Sequence, residues 1–239
     1  VVEILENCDF YSCECKRDVI LAEKMGLRGQ SLPVMPNAGG FDLEYLSTLG
    51  QKIVPSERKT ILLKGYQGWA GRALVGLRAL SRCSDQLVAG NYEVAIFSAG
   101  EDVKIAAEIF SQDTGIKTTI IEPTSHEEML KWYDSSRIYI GLSLSDAIST
   151  SLLEAIVMGT FPIQSCTACA DEWIENGKTG FIVPPDDPDI IEKYIRQALK
   201  DDKLVNLAAE QNAKMAQQSL DQQKLRVQTR DFYMKVLNS

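Results

Sequence analysis

The chain is poor in features that would settle its class quickly. It has a single histidine, His126, in 239 residues. None of its cysteines has a histidine nearby in sequence, which disfavours a thiol nucleophile activated by an imidazole. No apolar run approaches the ~18–20 residues that a bilayer-spanning helix needs. Residues Val1–Cys8 lack the basic start and apolar stretch of a signal peptide. There is no initiator Met, so we read the chain as a piece excised from a longer protein, and as cytoplasmic, with the full-length protein able to sit peripherally at a membrane. Positive charge is in deficit: 25 Lys and Arg against 33 Asp and Glu give a formal charge of −8. That argues against a nucleic-acid polymer or an anionic lipid surface as partner. A small phosphorylated ligand is not excluded, because it needs only one local cation. No internal repeat is found.

The six cysteines are Cys8, Cys13, Cys15, Cys83, Cys166 and Cys169. Four form the pairs Cys13-x-Cys15 and Cys166-x-x-Cys169, a spacing compatible with zinc. The pairs lie about 150 residues apart, whereas structural zinc sites usually draw both pairs from one short segment. Free thiols are the favoured reading, and no metal site is assigned.

What is present is a regular alternation. The length and a hydrophobic fraction of 45% suit a substantial soluble core. Residues 1–35 read as a separate remnant, with a short helix around Val19–Ala22 that ends at Gly26. Residues 36–59 read as a linker, with Asn37-Ala38-Gly39-Gly40 as a turn or hinge. From Thr60 short apolar strands alternate with amphipathic helices. Strands are predicted at Thr60–Leu63, Tyr92–Phe97, Thr118–Ile121, Ile138–Leu142 and Phe161–Gln164. Helices are predicted over Arg72–Ser84, Glu101–Ser111, from the capping box Ser125-x-x-Glu128, and over Leu152–Met158. A short strand around Phe181–Val183 and a helix from Pro188 to about Lys200 follow. Residues 201–239 predict two polar helices lying as a pair along the surface.

Strands and helices alternating in this way imply a parallel sheet with helices on both faces. Ligands of such sheets sit at the carboxyl ends of strands. The loops Lys64–Arg72, Ser98–Asp102, Glu122–Ser125 and Ser143–Ser151 should therefore open on one edge. The last of these carries the most chemistry. Small polar residues lead through Ile148-Ser149-Thr150-Ser151 into an apolar helix, a start suited to an anion. Asp146 and Glu154 flank it, eight positions apart.

Several motifs, taken in order, resemble the nucleotide-binding half of GT-B-type retaining glycosyltransferases of the family-four, or glycogen-synthase-like, group. Asp146-x7-Glu154 is similar to that group's Glu-x7-Glu motif, with aspartate in the first place. Glu172-x4-Gly177-x2-Gly180-Phe181-Ile182-Val183 followed by Asp186 resembles its downstream segment. Pro36-Asn37-x-Gly39 with Asp42 resembles its linker. The family's Gly-Arg…Lys-Gly loop reads here as Lys64-Gly65…Gly71-Arg72, and Cys169-Ala170-Asp171 replaces a Gly-Gly pair.

The resemblance implies a Rossmann-like C-terminal GT-B domain over residues 60–200 plus C-terminal helices. It implies a metal-independent, retaining hexosyltransferase without a cofactor, with a nucleoside-diphosphate sugar as donor substrate. The acceptor, a sugar or a lipid-linked sugar, would bind through a missing N-terminal domain of which residues 1–35 are the remnant. Arg72 is the first choice for the cation on the leaving diphosphate, because guanidinium grips phosphate oxygens bidentately; Lys64 is the second. Gly65 and Gly68 would let backbone approach the ligand, or act as simple turn glycines. Glu154 would accept the ribose hydroxyls, since a carboxylate in an apolar helix needs a partner. Asp146 would contact the donor sugar. Ile148, Ser149, Thr150 and Ser151 would face the diphosphate, while Ser98, Pro123, Thr124 and Ser125 line the region that reads the base. His126 is expected to be solvated. A sugar-nucleotide 2-epimerase and a degenerate nucleotide-binding module are the alternatives. The first needs extra acid/base groups that one histidine leaves short.

Overall fold

A computed structural model describes residues 1–36, 39–50, 53–167 and 169–238. Asn37 and Ala38 of the expected linker turn lie outside the described residues.

The first segment holds α1 (Val2–Asn7), β1 (Phe10–Tyr11), α2 (Lys16–Lys24), β2 (Gln30–Ser31) and α3 (Leu43–Leu49). Strands β1 and β2 pair in parallel as a small sheet of their own. Helix α3 begins at Asp42, whose carboxylate accepts from the Tyr45 N–H, an N-cap of the usual kind.

The main sheet begins with β3 (Thr60–Lys64), followed by α4 (Ala73–Arg82), α5 (Ser84–Ala89), β4 (Glu93–Phe97), α6 (Glu101–Thr114) and β5 (Thr118–Ile121). It continues with α7 (His126–Ser135), β6 (Ser136–Gly141), α8 (Thr150–Val157), β7 (Phe161–Ser165) and β8 (Phe181–Val183). The chain then ends in α9 (Pro188–Lys200), α10 (Asp202–Ser219) and α11 (Gln222–Leu237). All neighbouring strands are parallel, in the order β5-β4-β3-β6-β7-β8. This is the Rossmann-like order, and its direction reverses between β3 and β6, where a crevice opens at the strands' carboxyl ends.

Sequence explains which strands are central. Every residue of β3, β6 and β7 is buried, as expected for near-continuous apolar strands covered on both faces. Alternate side chains feed two cores. Ile61, Leu63, Ile138 and Ile140 pack with Leu77 and Leu80 of α4, Phe110 of α6 and Ile191 and Ile195 of α9. On the other face Leu62, Ala95 and Tyr139 pack with Leu130 and Tyr133 of α7 and Leu152, Leu153 and Ile156 of α8. Cys15, Phe41 and Leu46 of the first segment join this second core.

The terminal helices differ from the expected surface pair. Helix α10 buries Val205 and Ala208 in one core and Ala216 in the other, and Asn212 donates to the Thr179 carbonyl at 3.0 Å. Apart from the buried Asn212, its small apolar residues make the inward stripe, so the composition looked more solvated than the helix is. Phe41 exchanges backbone bonds with Leu220 and Gln222 at 2.8 and 3.0 Å, stitching the residues after the linker to the α10–α11 junction.

The amino-terminal edge of the sheet is closed by two arginines. Arg137, 1% exposed, donates to the carbonyls of Ala198 and Leu199 in the last turn of α9, to the Ser56 carbonyl, and to Asp202. Arg58 donates to the carbonyls of Ser136 and Met158 and meets Asp134 at 3.4 Å. Both cations answer helix carboxyl ends, where carbonyls lack intrahelical partners.

Candidate functional site

The loops after β3 and β6 meet at the switch point. Gly71 and Ser143 form an antiparallel bridge, the Arg72 N–H donates to the Leu142 carbonyl at 2.9 Å, and the Leu144 N–H to the Ala70 carbonyl at 3.1 Å. Between them and the start of α8 lies a cleft of about 320 Å³, whose walls include Lys64, Tyr66, Trp69, Asp146, Thr150 and Ser151.

Lys64 ends β3 and points up from the sheet. Its ammonium lies 3.4 Å from the Ser149 hydroxyl and 4.2 Å from the centre of the Tyr66 ring, a cation–π distance. Burial lowers its pKa, and the carboxylates of Asp146 and Glu154 oppose that shift. Asp146 is half-buried; burial raises its pKa, against the pull of Lys64. For both groups loss of water outweighs mutual attraction, so the pair carries a standing electrostatic cost.

Ser149 is the N-cap residue of α8 yet makes no side-chain cap bond; its hydroxyl faces Lys64 instead. The Leu152 and Leu153 N–H groups close on the Ser149 carbonyl. The amides ahead of them, at Thr150 and Ser151, have no intrahelical acceptor by helix geometry. A buried ammonium thus faces a helix amino terminus whose cap is not made, an arrangement suited to an anion with several oxygens.

Glu154 is buried at 9% exposure, and one carboxylate oxygen lies 2.8 Å from His126 Nε2. His126 follows the loop Glu122–Ser125, so this contact joins that loop to α8. The expectation of a solvated His126 holds for most of its surface, its side chain being 62% exposed, but its partner was not foreseen. The hydroxyls of Tyr133 and Tyr139 are buried without a well-formed hydrogen bond among the described residues, as are Ser143 Oγ and Gln164 Oε1; groups near the phenols include Glu154 and the Ser149 and Ser151 hydroxyls at the head of α8. Burial, reinforced by the Glu154 charge, raises both phenol pKa values, so both remain protonated donors.

A second cavity, of about 440 Å³, lies at the same edge between the loops after β4 and β5, with Ser98, Ala99, Ile120, Pro123, Thr124 and Met129 in its walls. Ser98 adopts a left-handed φ of 54°. Ser125 is the N-cap of α7, accepting from the Glu128 N–H at 3.2 Å, and takes no part in the walls.

Three candidates have evident local duties. Arg72 is not brought to the cleft: its Nε donates to Asp186 at 2.5 Å and its Nη1 to the Gly68 carbonyl at 2.5 Å. At Gly65 a Cβ would meet the Phe97 carbonyl and the Ala99 backbone at 2.8 Å, so the close approach there is to the neighbouring loop. Gly68, at φ 74° with nothing within 4 Å of a built Cβ, is a turn glycine. The structure brings together Lys64, Asp146, Ile148, Ser149, Thr150 and Ser151. Glu154 lies below them, and Ser98, Pro123 and Thr124 line the second cavity.

Sequence reading passed over the aromatic lip. Trp69 is 88% exposed, and with Tyr66 it borders the cleft. Two aromatics between glycines in a loop after a buried strand are the signal for it, since the strand leaves them no core to enter.

The sequence model of the family described as glycosyl transferases group 1 matches residues 78–218. No curated protein matches the chain by sequence. Among solved structures it is similar to sucrose-phosphate synthase from Thermosynechococcus elongatus, at TM-score 0.76 and 17% identity over 99% of this chain and 60% of that one. It is similar to α,α-trehalose 6-phosphate synthase from Burkholderia multivorans, at TM-score 0.78 and 10% identity over 99% and 61%. It is also similar to Anabaena HepE in complex with UDP-glucose, at TM-score 0.73 and 15% identity over 98% and 66%. The chain spans less than two thirds of each of these structures.

Proposed function

The chain belongs to the group 1 glycosyl transferases, and from that premise we propose that it is the donor-binding half of a retaining, metal-independent hexosyltransferase. Its ligand is a nucleoside-diphosphate sugar. The diphosphate lies between the Lys64 ammonium and the first amides of α8. The base enters the cavity beside Ser98, Pro123 and Thr124, and the ribose hydroxyls donate to Glu154. Asp146 contacts the sugar, and Trp69 and Tyr66 border it. Residues 1–35 belong to the acceptor side, and the acceptor, a sugar or a lipid-linked sugar, binds mainly outside this chain.

One observation carries this reading: the buried Lys64 ammonium opposite an uncapped helix amino terminus. Departure of a nucleoside diphosphate places negative charge on phosphate oxygens, and preorganised donors aimed at that charge are a large catalytic term. Lys64, Ser149 and the α8 amides form such a set without a metal ion. Retention, the hexosyl class and the missing acceptor half follow from the family resemblance. A nucleotide-binding module without turnover is the second reading. It is favoured by the engagement of Arg72 with Asp186, which leaves Lys64 as the cleft's cation.

Calorimetric titration with UDP, GDP and ADP and with their sugars tests the reading. We expect one base to bind, with Trp69 fluorescence changing on addition of the sugar nucleotide. Glu154→Ala should weaken nucleotide binding by about tenfold or more, the worth of a hydrogen bond to a charged group. Absence of binding to every nucleotide, or unchanged affinity in Glu154→Ala, overturns it.

A further inference from the structure

Three side chains of metal-ligating types converge where the first segment meets the rim of the sheet. The Sγ atoms of Cys15 and Cys169 and a carboxylate oxygen of Glu172 all lie within 4.8 Å of one another. Cys15 and Cys169 are 0% and 3% exposed. Two come from the loop after β7 and one from the residue before α2, so 154 positions separate the thiols. We propose that Cys15, Cys169 and Glu172 bind a borderline-soft divalent metal ion of the zinc type, which clamps α2 to the β7–β8 loop.

The donor set fits such an ion. Thiolates and a carboxylate are zinc ligands, and a tetrahedral site with metal–sulfur bonds of about 2.3 Å sets its donors about 3.6–3.8 Å apart. A small closing movement of three side chains reaches that spacing. The two thiols border the second core as small hydrophobes would; what packing does not ask for is the half-buried Glu172 carboxylate brought against both of them. The carboxylate is already fixed: it accepts from the Lys16 N–H at 2.8 and 3.1 Å and from the Arg17 N–H at 3.4 Å at the start of α2, and the oxygen that takes only the longer Lys16 bond carries a further lone pair that a metal could take. Binding would displace the two thiol protons to solvent and form two metal–sulfur bonds and one metal–oxygen bond, the fourth position going to water.

The place of the clamp gives it a consequence. Arg17 follows Lys16, and its guanidinium donates to the carbonyls of Thr167 and Asp146 at 3.2 and 3.3 Å. An ion holding the start of α2 therefore also steadies the loop that carries Asp146. The ion is a structural clamp, distinct from the donor chemistry at Lys64, and the inference does not depend on the proposed function.

Titration of the reduced, metal-free protein with Co²⁺ alone is the test. We expect one equivalent to bind with thiolate–cobalt charge-transfer absorption and a tetrahedral visible band. Both should be lost in Cys15→Ser and in Cys169→Ser, and retained in Cys13→Ser and Cys166→Ser. Glu172→Gln should weaken binding at least about tenfold. In the unmutated protein, at a denaturant concentration that lets the metal-free chain's buried thiols react, bound Co²⁺ should protect Cys15 and Cys169 from alkylation while Cys166 still reacts; this arm stands even if a serine variant fails to fold. The proposal is overturned if no thiolate–cobalt absorption forms, if the absorption needs Cys13 or Cys166 instead, or if alkylation of Cys15 and Cys169 is unchanged by the ion. It is equally overturned if the purified chain carries a Cys15–Cys169 disulfide.

Discussion

The two edges of the sheet use buried polar groups in opposite ways. At the amino-terminal edge Arg58 and Arg137 are surrounded by acceptors: the backbone carbonyls of Ile53, Ser136 and Met158 for the first and of Ser56, Ala198 and Leu199 for the second, with the carboxylates of Asp134 and Asp202 besides. At the carboxyl-terminal edge an N-cap serine does not cap, and Tyr133, Tyr139, Ser143 and Gln164 keep buried polar atoms without a well-formed hydrogen bond among the described residues. A buried donor or acceptor left alone costs about 1–3 kcal/mol. Such polar atoms occur elsewhere as well, at Gln86 and Trp173, but it is at the carboxyl-terminal edge that several gather beside a cleft.

Substitutions at the two edges should separate accordingly. The largest effect is expected for Arg137→Ala, which strands the carbonyls at the end of α9. Loss of about 3 kcal/mol or more in denaturant unfolding is predicted, with nucleotide affinity of the folded fraction unchanged. A small stability change there would break the contrast.

Lys64→Met should act the other way. It removes a buried ammonium whose desolvation outweighs its attraction to Asp146 and Glu154, so stability should not fall, while diphosphate binding falls by about tenfold or more. The sign with pH is fixed by the depressed pKa of Lys64. The folded state releases this proton more readily than the unfolded chain, so the charge costs stability at neutral pH. The cost fades as pH rises through the depressed native pKa toward the ordinary lysine value. The stability gap between Lys64→Met and the unmutated chain should therefore shrink over that range, and a gap independent of pH would refute the assignment.

Smaller effects sharpen the picture. His126→Ala should weaken nucleoside binding about threefold, because Glu154 loses the ring that fixes one of its oxygens. Arg72→Ala breaks a partly exposed pair with Asp186 and should change stability by under about 1 kcal/mol. If it instead lowers diphosphate affinity as much as Lys64→Met, Arg72 and not Lys64 is the working cation, and competition binding of UDP against uridine would show it.

The parallel sheet was legible in the sequence because periodicity and punctuation are local. Buried runs such as Ile61–Leu63, the Ser125 cap and Pro188 at the head of α9 each announce themselves within a few residues. The site was legible as a set of loops, because parallel strands put all their carboxyl ends on one edge. Its inner contacts were not. Glu154 meets His126 across 28 positions, Arg72 meets Asp186 across 114, and Cys15 approaches Cys169 across 154. Such meetings depend on how helices settle on the sheet, which no short window records. The separation of the cysteine pairs argued against a shared site only while the chain was read as a line. Helix α10 misled for a related reason: its glutamines and lysines hid a narrow apolar stripe.

The bridge between Gly71 and Ser143 has a mechanical outcome. Two hairpin-like lips laced by a pair of backbone bonds swing as one flap or not at all, so admission of a bulky donor cannot proceed by peeling either lip away. Whatever give the entrance has must come from the opposite wall, where the loop after β5 is held to α6 by a partly exposed ion pair between Glu122 and Lys104. Amide exchange should accordingly be slow and concerted on one side of the crevice and fast on the other.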